Sequence, residues 1–347
     1  MKMRNISKEE LEEILRKHKL WLREDWDDDD EECADLDDVN LALRKHKSSL
    51  EKGERANLDH VNLNGFDLSG ANLTHADLCC ASLEGANLEN ADLIEADLSY
   101  ANLKNANLKG AFLNKASLRH ANLENANLSK TNLRRTDLRY ADLILANLSD
   151  SRAEYADLGC ADLRHADLEE ADLRRSNLEY ADLKYANLGC AYLVNANLEH
   201  AELENANLSQ ANLMHASLRD ANLTGANLKK VLIDIYTIGY VMACPEEGSF
   251  IGYKKANDCI VKLLILEDAK RSSATTAKCR CSKAKVLEIR EIQTDKLLDS
   301  VPSDYDRDFV YKVGEVVSVD DFDDNRWSEC STGIHFFMNR ENALNYL

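Results

Sequence analysis

A period of five residues constrains the fold of this chain more than any other feature. In the stretch "ADLRRSNLEYADLKYANLGC", residues 171–190, every fifth residue is Leu, the residue two positions before it is Ala or Ser, and Asp or Asn lies between them. The register continues without a slip over residues 56–230, which makes 35 consecutive units, and only Ala153 replaces the central Leu. An α-helix repeats its apolar face every 3.6 residues and a strand every 2, so neither element fits this pattern.

The repeat predicts a four-sided tube. Each unit offers one large and one small inward position, and four units close a coil of 20 residues if the chain turns a corner after each unit. Coils stacked through backbone hydrogen bonds at a strand spacing of ~4.8 Å would give about nine coils and a rod of roughly 40 Å. The Asn or Asp before each Leu suits the corners, because its short side chain can hydrogen-bond to nearby backbone.

The A-(D/N)-L-x-x pattern resembles that of the pentapeptide-repeat family. The resemblance implies an all-β fold for residues 56–230, a right-handed quadrilateral parallel β-helix. It also implies one possible function, since some members of that family imitate duplex DNA and protect or inhibit type II topoisomerases. Those members dimerise through the C-terminal end of the rod, which here continues into further chain.

Residues 1–55 are expected to form a helical N-terminal cap. The segment "SKEELEEILRKHKLWL" predicts a helix, with Ser7 and Glu10 as a capping box. The sequence "LRKHK" occurs at residues 15–19 and again at 43–47, which indicates an internal duplication. Solenoids cover their open coil ends because an exposed strand edge promotes aggregation. The acidic run at residues 27–32 is interpreted as a solvated loop.

Residues 231–347 predict a separate, small α+β domain. Five segments indicate strands and "NRENALNYL" a closing helix with Asn339 near its cap; the strand segments are "VLIDIYTIGYVM", "CIVKLLIL", "AKVLEIREI", "FVYKVGEVV" and "GIHFFM". Three segments resemble a domain of unknown function that follows pentapeptide repeats in bacterial and phage proteins: "EDAKRSSATTAKCRCSKAKVLEI", "FVYKVGEVV" and "ECSTGIHFFMNRENALNY". That resemblance implies no particular activity.

Composition limits the cellular setting. The 347-residue chain has a net charge of −19, and the repeat alone has 25 acidic against 16 basic residues, hence −9. This balance favours solubility or basic partners, so direct nucleic-acid binding is not expected. No apolar run reaches the length of a membrane span, and the start lacks a secretory signal. Ten cysteines without such a signal favour reduced thiols and a cytoplasmic location.

The 20-residue coil predicts which outer side chains stack on one another. An aromatic column and an acidic column are the candidate partner-binding surfaces, and each can also be a merely solvated face. Stacked carboxylates repel one another, and Arg164 and Lys184, which project from the same face, could offset this repulsion. The functional interpretation of the acidic column is an imitation of a row of phosphates. The candidate residues are Tyr100, His120, Tyr140 and Tyr180 in the aromatic column, and Asp142, Asp162, Asp182 and Glu202 in the acidic one.

An arginine patch is the candidate anion-binding site. It gathers within three coils beside Tyr155 and Ala153, and Glu154 and Asp172 partly neutralise it. A solvated mixed face is the alternative interpretation, and the patch argues against imitation of DNA along the whole rod. Its members are Arg134, Arg135, Arg152, Arg174 and Arg175.

No catalytic constellation, cofactor motif or metal site is predicted. The weak alternatives lie in the C-terminal segment: Cys279 and Cys281 could bind zinc if Cys259, Cys330 or His335 joined them. "DAKRSS", residues 268–273, could bind phosphate or form a polar turn. "GIHFFMNRENALNY" is only distantly similar to the strand and helix of ADP-ribosyltransferase-like folds.

The sequence therefore predicts a non-catalytic protein-binding scaffold that displays a rigid acidic rod, as a monomer or homodimer. The alternative is a DNA mimic that binds a type II topoisomerase. A second alternative makes the C-terminal domain an effector or enzyme on a repeat stalk.

Overall fold

The computed structural model describes residues 3–25, 54–240, 243–245, 247–326 and 331–346. At the N-terminus, β1 (Arg4–Asn5) precedes α1 (Lys8–Asp25), and β1 pairs in parallel with β2 (Val61–Asn62). Half of the predicted capping box forms, because Ser7 Oγ accepts a hydrogen bond from Glu10 N at 3.1 Å. The second "LRKHK" copy and the acidic run lie outside the described residues.

Helix α1 contacts the first coil of the repeat. Leu11 is buried in the same apolar cluster as the inward leucines of the repeat, and Ile14 and Leu15 pack against that cluster. The ring nitrogen Nδ1 of His18 accepts a hydrogen bond from Ala56 N at 3.1 Å. The helix therefore satisfies a backbone donor at the start of the coil.

The repeat forms the coil of 20 residues that its period predicts. Parallel bridges join each residue before a central Leu to the residue 20 positions later, from Asn57 with Asp77 up to Asn212 with Leu232. Within this ladder Leu143 N donates to Asp162 O at 2.7 Å, and Asp162 N donates to Ala141 O at 2.9 Å. Four five-residue units thus make one coil, and successive coils stack as short parallel strands.

Each corner is a tight turn with one left-handed residue. In a representative unit Ala146 N donates to Leu143 O at 3.0 Å, while Leu145 has a φ of 59°. A positive φ at the third residue is the signature of a type II turn. The predicted role of Asp and Asn is also observed, since Asp142 Oδ1 accepts from Ile144 N at 3.1 Å.

The inside of the tube is filled by two columns per face. The central leucines from Leu58 to Leu223 are at most 2% exposed, and the small residues two positions earlier lie beside them. Two of the polar replacements at the small position satisfy their hydroxyls within the wall: Thr136 Oγ1 donates to Leu113 O and Ser176 Oγ donates to Leu173 O, each at 2.6 Å. Ala, Ser or Thr occupies this position in every unit from 56 to 230 except those of Val61 and Phe66, near the N-terminal end of the rod.

The coil continues past Lys230, where a strand was predicted. Leu232 still bridges Asn212, and after one inserted residue Ile238 bridges Ser217. Thr237 occupies the small inward position, and its Oγ1 donates to Leu213 O at 3.1 Å. The strand prediction for "VLIDIYTIGYVM" is therefore wrong over residues 231–240, because the insertion hides the repeat from a search for a fixed period.

The C-terminal segment is built on a seven-stranded sheet. The elements are β3 (Phe250–Ala256), β4 (Cys259–Ile265), β5 (Arg271–Ser273), β6 (Lys278–Cys281), β7 (Lys283–Glu291), β8 (Ser300–Pro302), β9 (Val310–Lys312), β10 (Val316–Ser318), β11 (Ile334–Phe337) and α2 (Arg340–Asn345). The seven strands of the sheet run in the spatial order β10-β7-β4-β3-β11-β6-β5, and all observed pairings are antiparallel. Strands β8 and β9 form a separate two-stranded sheet.

The predicted elements of this segment are largely found. Strands β4, β7 and β11 and helix α2 lie where their patterns place them, and Asn339 Oδ1 caps α2 by accepting from Glu341 N at 2.8 Å. "FVYKVGEVV" forms two strands, β9 and β10, because the chain turns at Gly314, whose φ is 87°. Strands β3, β5, β6 and β8 were not predicted.

The sheet contacts the end of the rod. Thr275, in the loop between β5 and β6, donates its hydroxyl to Ala221 O, and its own carbonyl accepts from Asp220 N at 3.4 Å. Arg326 donates to Tyr240 O at 2.6 Å. Among the residues described, no helix is long and apolar enough to cross a membrane.

Candidate functional site

The aromatic column forms two stacks on one edge of the rod. His120 lies between Tyr100 and Tyr140, with ring centroids 4.9 Å from each and ring planes within 11° and 9°. Tyr180 stacks on His200 at 4.6 Å, and Cys160 separates the two stacks. The structure therefore brings together the predicted residues Tyr100, His120 and Tyr140, while Tyr180 belongs to a second group.

These rings are exposed and fixed in place. Tyr100, Tyr140 and Tyr180 are 60%, 51% and 56% exposed, and each occupies the left-handed corner position with a φ of 58–59°. Stacking on a neighbour one coil away limits rotation of each ring. Because these rings are already ordered, they lose little side-chain entropy when a partner binds, which favours contact through this edge.

The acidic column is interleaved with cations. Arg164 makes a bidentate pair with Asp162, at 2.8 Å from Nε to Oδ1 and 2.6 Å from Nη2 to Oδ2. Burial raises the pKa of Asp162, but the hydrogen bonds from the Arg164 side chain and backbone outweigh it and hold the pKa below its usual value. Lys184 lies 3.7 Å from Asp182 and 3.6 Å from Glu202.

This compensation changes what the column can do. In a row of DNA phosphates, each nucleotide carries one uncompensated negative charge. The carboxylates of Asp162, Asp182 and Glu202, in contrast, each have a basic partner within 4 Å. Only Asp142 among the four has no ion pair with any residue that the structure describes. The column is therefore a charged ladder in which neighbouring groups stabilise one another.

The arginine patch consists of two alternating columns. In the first, Glu154 lies between Arg134 and Arg174, at 3.3 and 3.1 Å. Its side chain is only 12% exposed, so both guanidinium groups face a shielded carboxylate. Arg174 also makes a bidentate pair with Asp172.

In the second column an aromatic ring takes the place of the carboxylate. Tyr155 lies between Arg135 and Arg175, whose guanidinium carbons are 5.7 and 5.4 Å from the ring centroid. Both distances are typical of cation–π contacts. Arg175 also donates to the Tyr155 hydroxyl.

Among the described residues, Arg152 is the member of the patch that has neither an ion pair nor a cation–π contact. It borders a surface cavity of about 340 Å³ together with Arg174, Asp172 and Tyr192. The five guanidinium groups do not converge on one point. An anion site, still a prediction, would have to use this cavity.

The cysteines considered for zinc lie in an apolar core instead. Cys279 and Cys281 are fully buried in the cluster that includes Cys244 and Cys259. Burial raises the pKa of Cys281 to about 12, which keeps its thiol protonated. Cys330 lies outside the described residues. In "DAKRSS", Arg271 donates to the carbonyls of Gly248 and Glu267 at 2.7 Å, so it fixes loops.

A cleft in the C-terminal segment was missed by the sequence analysis. Its cavity of about 460 Å³ lies over the strands β3, β6 and β11 and is lined by Lys254, Lys278, Tyr311 and His335. Burial lowers the pKa of Lys254, and it lowers the pKa of His335 to about 4, so the imidazole is neutral at pH 7. The available signal in the sequence was the presence of lysines, Lys254 and Lys278, within strand segments that are otherwise largely apolar.

A thiol and carboxylate cluster near the N-terminal end of the rod was also missed. Cys79 Sγ and Cys80 Sγ lie 3.5 Å apart, and a carboxylate oxygen of Asp59 lies within 4.8 Å of both. His60 Nδ1 is 2.5 Å from Asp59 Oδ1. The available signal in the sequence was "CC" at residues 79–80, which lies 20 positions after "DH" at residues 59–60.

Comparisons with known proteins identify the family of the repeat. The family model "Pentapeptide repeats (8 copies)" matches residues 54–90, 80–114, 116–152, 156–189 and 191–229. The solved structure of HetL, a pentapeptide repeat protein involved in heterocyst differentiation regulation from the cyanobacterium Nostoc sp. strain PCC 7120, is 35% identical. That match covers 56% of this chain and 94% of HetL, with a TM-score of 0.39. The chain belongs to the pentapeptide-repeat family.

Its C-terminal segment matches a second family model over residues 240–343, "Family of unknown function (DUF5758)". The predicted resemblance of this segment to an uncharacterised domain is therefore confirmed. No curated protein matches the chain.

Other pentapeptide-repeat structures are similar over parts of the rod. Rfr23 from the cyanobacterium Cyanothece 51142 is 43% identical over 28% of this chain and 62% of its own, with a TM-score of 0.20. QnrB1, a plasmid-mediated fluoroquinolone resistance protein, is 18% identical over 52% of this chain and 89% of its own, with a TM-score of 0.32.

Proposed function

We propose that the chain is a non-catalytic protein-binding scaffold whose pentapeptide-repeat rod presents side chains at fixed spacing. The observation that carries this proposal is the exposed stack of Tyr100, His120 and Tyr140. Tyrosine combines a large contact area with a polar tip, and a pre-stacked ring is already ordered before a partner arrives. The proposed partner is a protein, bound by the chain as a monomer or homodimer.

A comparison of two sets of tyrosines tests this proposal. Full-length chain carrying Tyr100→Ser, Tyr140→Ser and Tyr180→Ser should recover at least tenfold less of its protein partners from a host-like lysate. The matched control carries Tyr185→Ser and Tyr192→Ser, which remove rings of similar exposure from other columns. Equal recovery by the wild type and both variants would contradict binding through the aromatic column.

Imitation of DNA for a type II topoisomerase is the less well supported alternative. The net charge of the rod agrees with it, but Arg164 and Lys184 compensate the acidic column, and the arginine patch adds positive charge in other columns of the rod. A DNA mimic should inhibit supercoiling by DNA gyrase when the protein is in excess. Inhibition that disappears in Asp142→Lys and Asp182→Lys variants would raise this alternative above a general scaffold.

A second candidate function rests on the C-terminal cleft. Lys254 and Lys278 come from different strands and line one cavity, and Lys278 Nζ donates to the Tyr346 hydroxyl at 2.9 Å. Partly buried ammonium groups beside aromatic rings suit a small anionic ligand, so this domain would be a ligand-binding module carried by the rod.

Ligand-dependent thermal stability tests that candidate. Inorganic phosphate and simple dicarboxylates should raise the melting temperature of the full-length chain but not of Lys254→Met. Lys285→Met, which removes an exposed lysine from β7, is the matched control. No stabilisation of the wild type by either class of anion would remove the reason for this assignment.

A further inference from the structure

The outer face of the first two coils carries four potential metal ligands in a two-by-two array. Asp59 and His60 are adjacent at one corner, and Cys79 and Cys80 occupy the same corner one coil later. The two coils are joined at this point by a hydrogen bond from His60 N to Cys79 O at 3.0 Å. The fold itself therefore sets the distance between the two pairs.

We propose that Asp59, Cys79 and Cys80, completed by His60, bind a tetrahedral thiophilic divalent cation of the zinc class. The two sulfur atoms are 3.5 Å apart, and a carboxylate oxygen of Asp59 is within 4.8 Å of both. In the described part of the chain, no other group of three such side chains comes this close together.

The sulfur spacing suits this metal. With zinc–sulfur bonds of about 2.3 Å, two sulfurs 3.5 Å apart subtend an angle of about 99° at the metal, near the tetrahedral value. Two thiolates favour zinc over calcium or magnesium, which take oxygen ligands. The Asp59 carboxylate would have to move towards the two sulfurs to reach the metal at the usual oxygen distance of ~2.1 Å.

His60 is the nearest nitrogen ligand. Its Nδ1 lies 2.5 Å from Asp59 Oδ1, and the imidazole would have to turn from this carboxylate to reach the metal. The imidazole is 30% exposed. Two thiolates, one carboxylate and one imidazole complete four-coordination.

The charge around the site favours a cation. Asp77 Oδ1 accepts a hydrogen bond from Cys79 N at 3.2 Å, and Asp97 lies in the next coil of the same column. Neither Asp77 nor Asp97 forms an ion pair with any lysine or arginine that the structure describes. The acidic column near Arg164 differs, since basic side chains there already neutralise the carboxylates.

The bound metal would clamp the first coil to the second. Two ligands come from each coil, so the metal adds a cross-link near the end of the stack, where the first coil has another coil on one side and only β1 and α1 on the other. A solenoid unfolds most easily from such an end because its stability is a sum of neighbouring contacts. The site is therefore expected to be structural.

Cobalt(II) is the probe for this site. Reduced, full-length chain and a Cys79→Ser/Cys80→Ser variant are titrated with Co²⁺, and thiolate-to-cobalt charge transfer and tetrahedral d–d bands are recorded. A Cys160→Ser/Cys190→Ser variant is the matched control, since it removes two thiols that lie in other coils of the same rod. The wild type and the control should bind one equivalent more than the Cys79→Ser/Cys80→Ser variant.

Two further variants separate the ligands. Asp59→Asn and His60→Ala should each weaken Co²⁺ binding by at least tenfold. Zn²⁺ should displace Co²⁺ and raise the melting temperature of the wild type and of the Cys160→Ser/Cys190→Ser control, but not of the Cys79→Ser/Cys80→Ser variant. Circular dichroism of each variant without metal shows whether the coil is intact. Equal stoichiometry and spectra in the wild type and the Cys79→Ser/Cys80→Ser variant would overturn the site, and unchanged affinity in Asp59→Asn or His60→Ala would overturn that ligand.

Discussion

Arg164 holds the carboxylate of Asp162 from within the same five-residue unit, through two hydrogen bonds of 2.8 and 2.6 Å. Its Nε also lies 3.8 Å from Asp182 Oδ2 in the next coil. One guanidinium group therefore neutralises two carboxylates of the acidic column. This arrangement explains how like charges can stack at the spacing of adjacent strands, where they would otherwise repel.

Replacing this guanidinium should lower stability in a pH-dependent way. The pKa of Asp162 is held below its usual value, although burial alone would raise it. Such a group stabilises the fold above the unfolded pKa of about 3.9 and loses that contribution as the pH falls through the folded pKa. Arg164→Gln should lower the free energy of unfolding slightly at pH 7, as the loss of an exposed ion pair does, and should have a smaller effect in acid, once Asp162 is protonated.

Urea unfolding at pH 7 and in acid measures this difference. Arg219→Gln is the control, because Arg219 is exposed and forms no ion pair with the residues that the structure describes. Its effect should be small at both pH values. A cost of Arg164→Gln that is equal at pH 7 and pH 2 would show that the side chain acts through packing.

Filling the one gap in the leucine column should stabilise the rod. Ala153 replaces Leu in the column of Leu133 and Leu173, yet Ala153 N donates to Asp172 O at 2.7 Å, as in neighbouring units. The wall keeps its shape there, so the missing atoms leave unfilled volume. Truncating a buried Leu to Ala costs about 2–5 kcal/mol, and Ala153→Leu should recover about 1–3 kcal/mol of it.

The unfolding free energy of Ala153→Leu can be compared with that of Ala156→Leu. Ala156 lies at the small inward position, where a larger side chain meets the corner, so that change should destabilise the rod by about 1–3 kcal/mol. If Ala153→Leu is destabilising too, the surrounding side chains already fill the space.

Two buried serines should respond in opposite ways to removal of the hydroxyl. Ser151 Oγ is buried without a hydrogen-bond partner among the described residues, whereas Ser176 Oγ donates to Leu173 O at 2.6 Å. An unsatisfied buried hydroxyl costs about 1–3 kcal/mol, so Ser151→Ala should stabilise the rod by about 1 kcal/mol. Ser176→Ala should destabilise it by about 1 kcal/mol. Thermal unfolding of both variants measures the contrast, which would be absent if a water satisfied Ser151.

The repeat could be predicted because each unit carries its own burial pattern. Leu143 and Ala141 are inward in the same way as every other pair, and the 20-residue period places His120 between Tyr100 and Tyr140. The same period places Asp59 beside Cys79, one coil apart.

The C-terminal segment was harder to predict because its contacts lie far apart in the chain. Strand β3 contains Lys254 and Lys255, whose charges hide its apolar alternation. Lys254 is nevertheless half-buried, and its Nζ lies 5.9 Å from the centroid of the Tyr311 ring. The sheet order, which sets β11 between β3 and β6, depends on such long-range pairing and leaves no periodic signal.

A last prediction concerns the left-handed corners. Leu145 occupies one of them with a φ of 59° and is 54% exposed, so its side chain contributes little burial. A left-handed conformation costs an ordinary L-residue about 1–2 kcal/mol, and asparagine tolerates it better. In the two preceding coils of this column, Asn125 Nδ2 donates to Asn105 Oδ1 at 2.8 Å. Leu145→Asn should extend this ladder and raise the free energy of unfolding by about 1 kcal/mol.

The control for this change is Leu145→Val. A β-branched residue fits the left-handed region poorly, so this variant should lose about 1 kcal/mol relative to the wild type. Chemical unfolding of the three proteins should rank them with the asparagine variant most stable and the valine variant least stable. The reverse order would mean that contacts of Leu145 along its column, and not backbone conformation, decide which residues these corners accept.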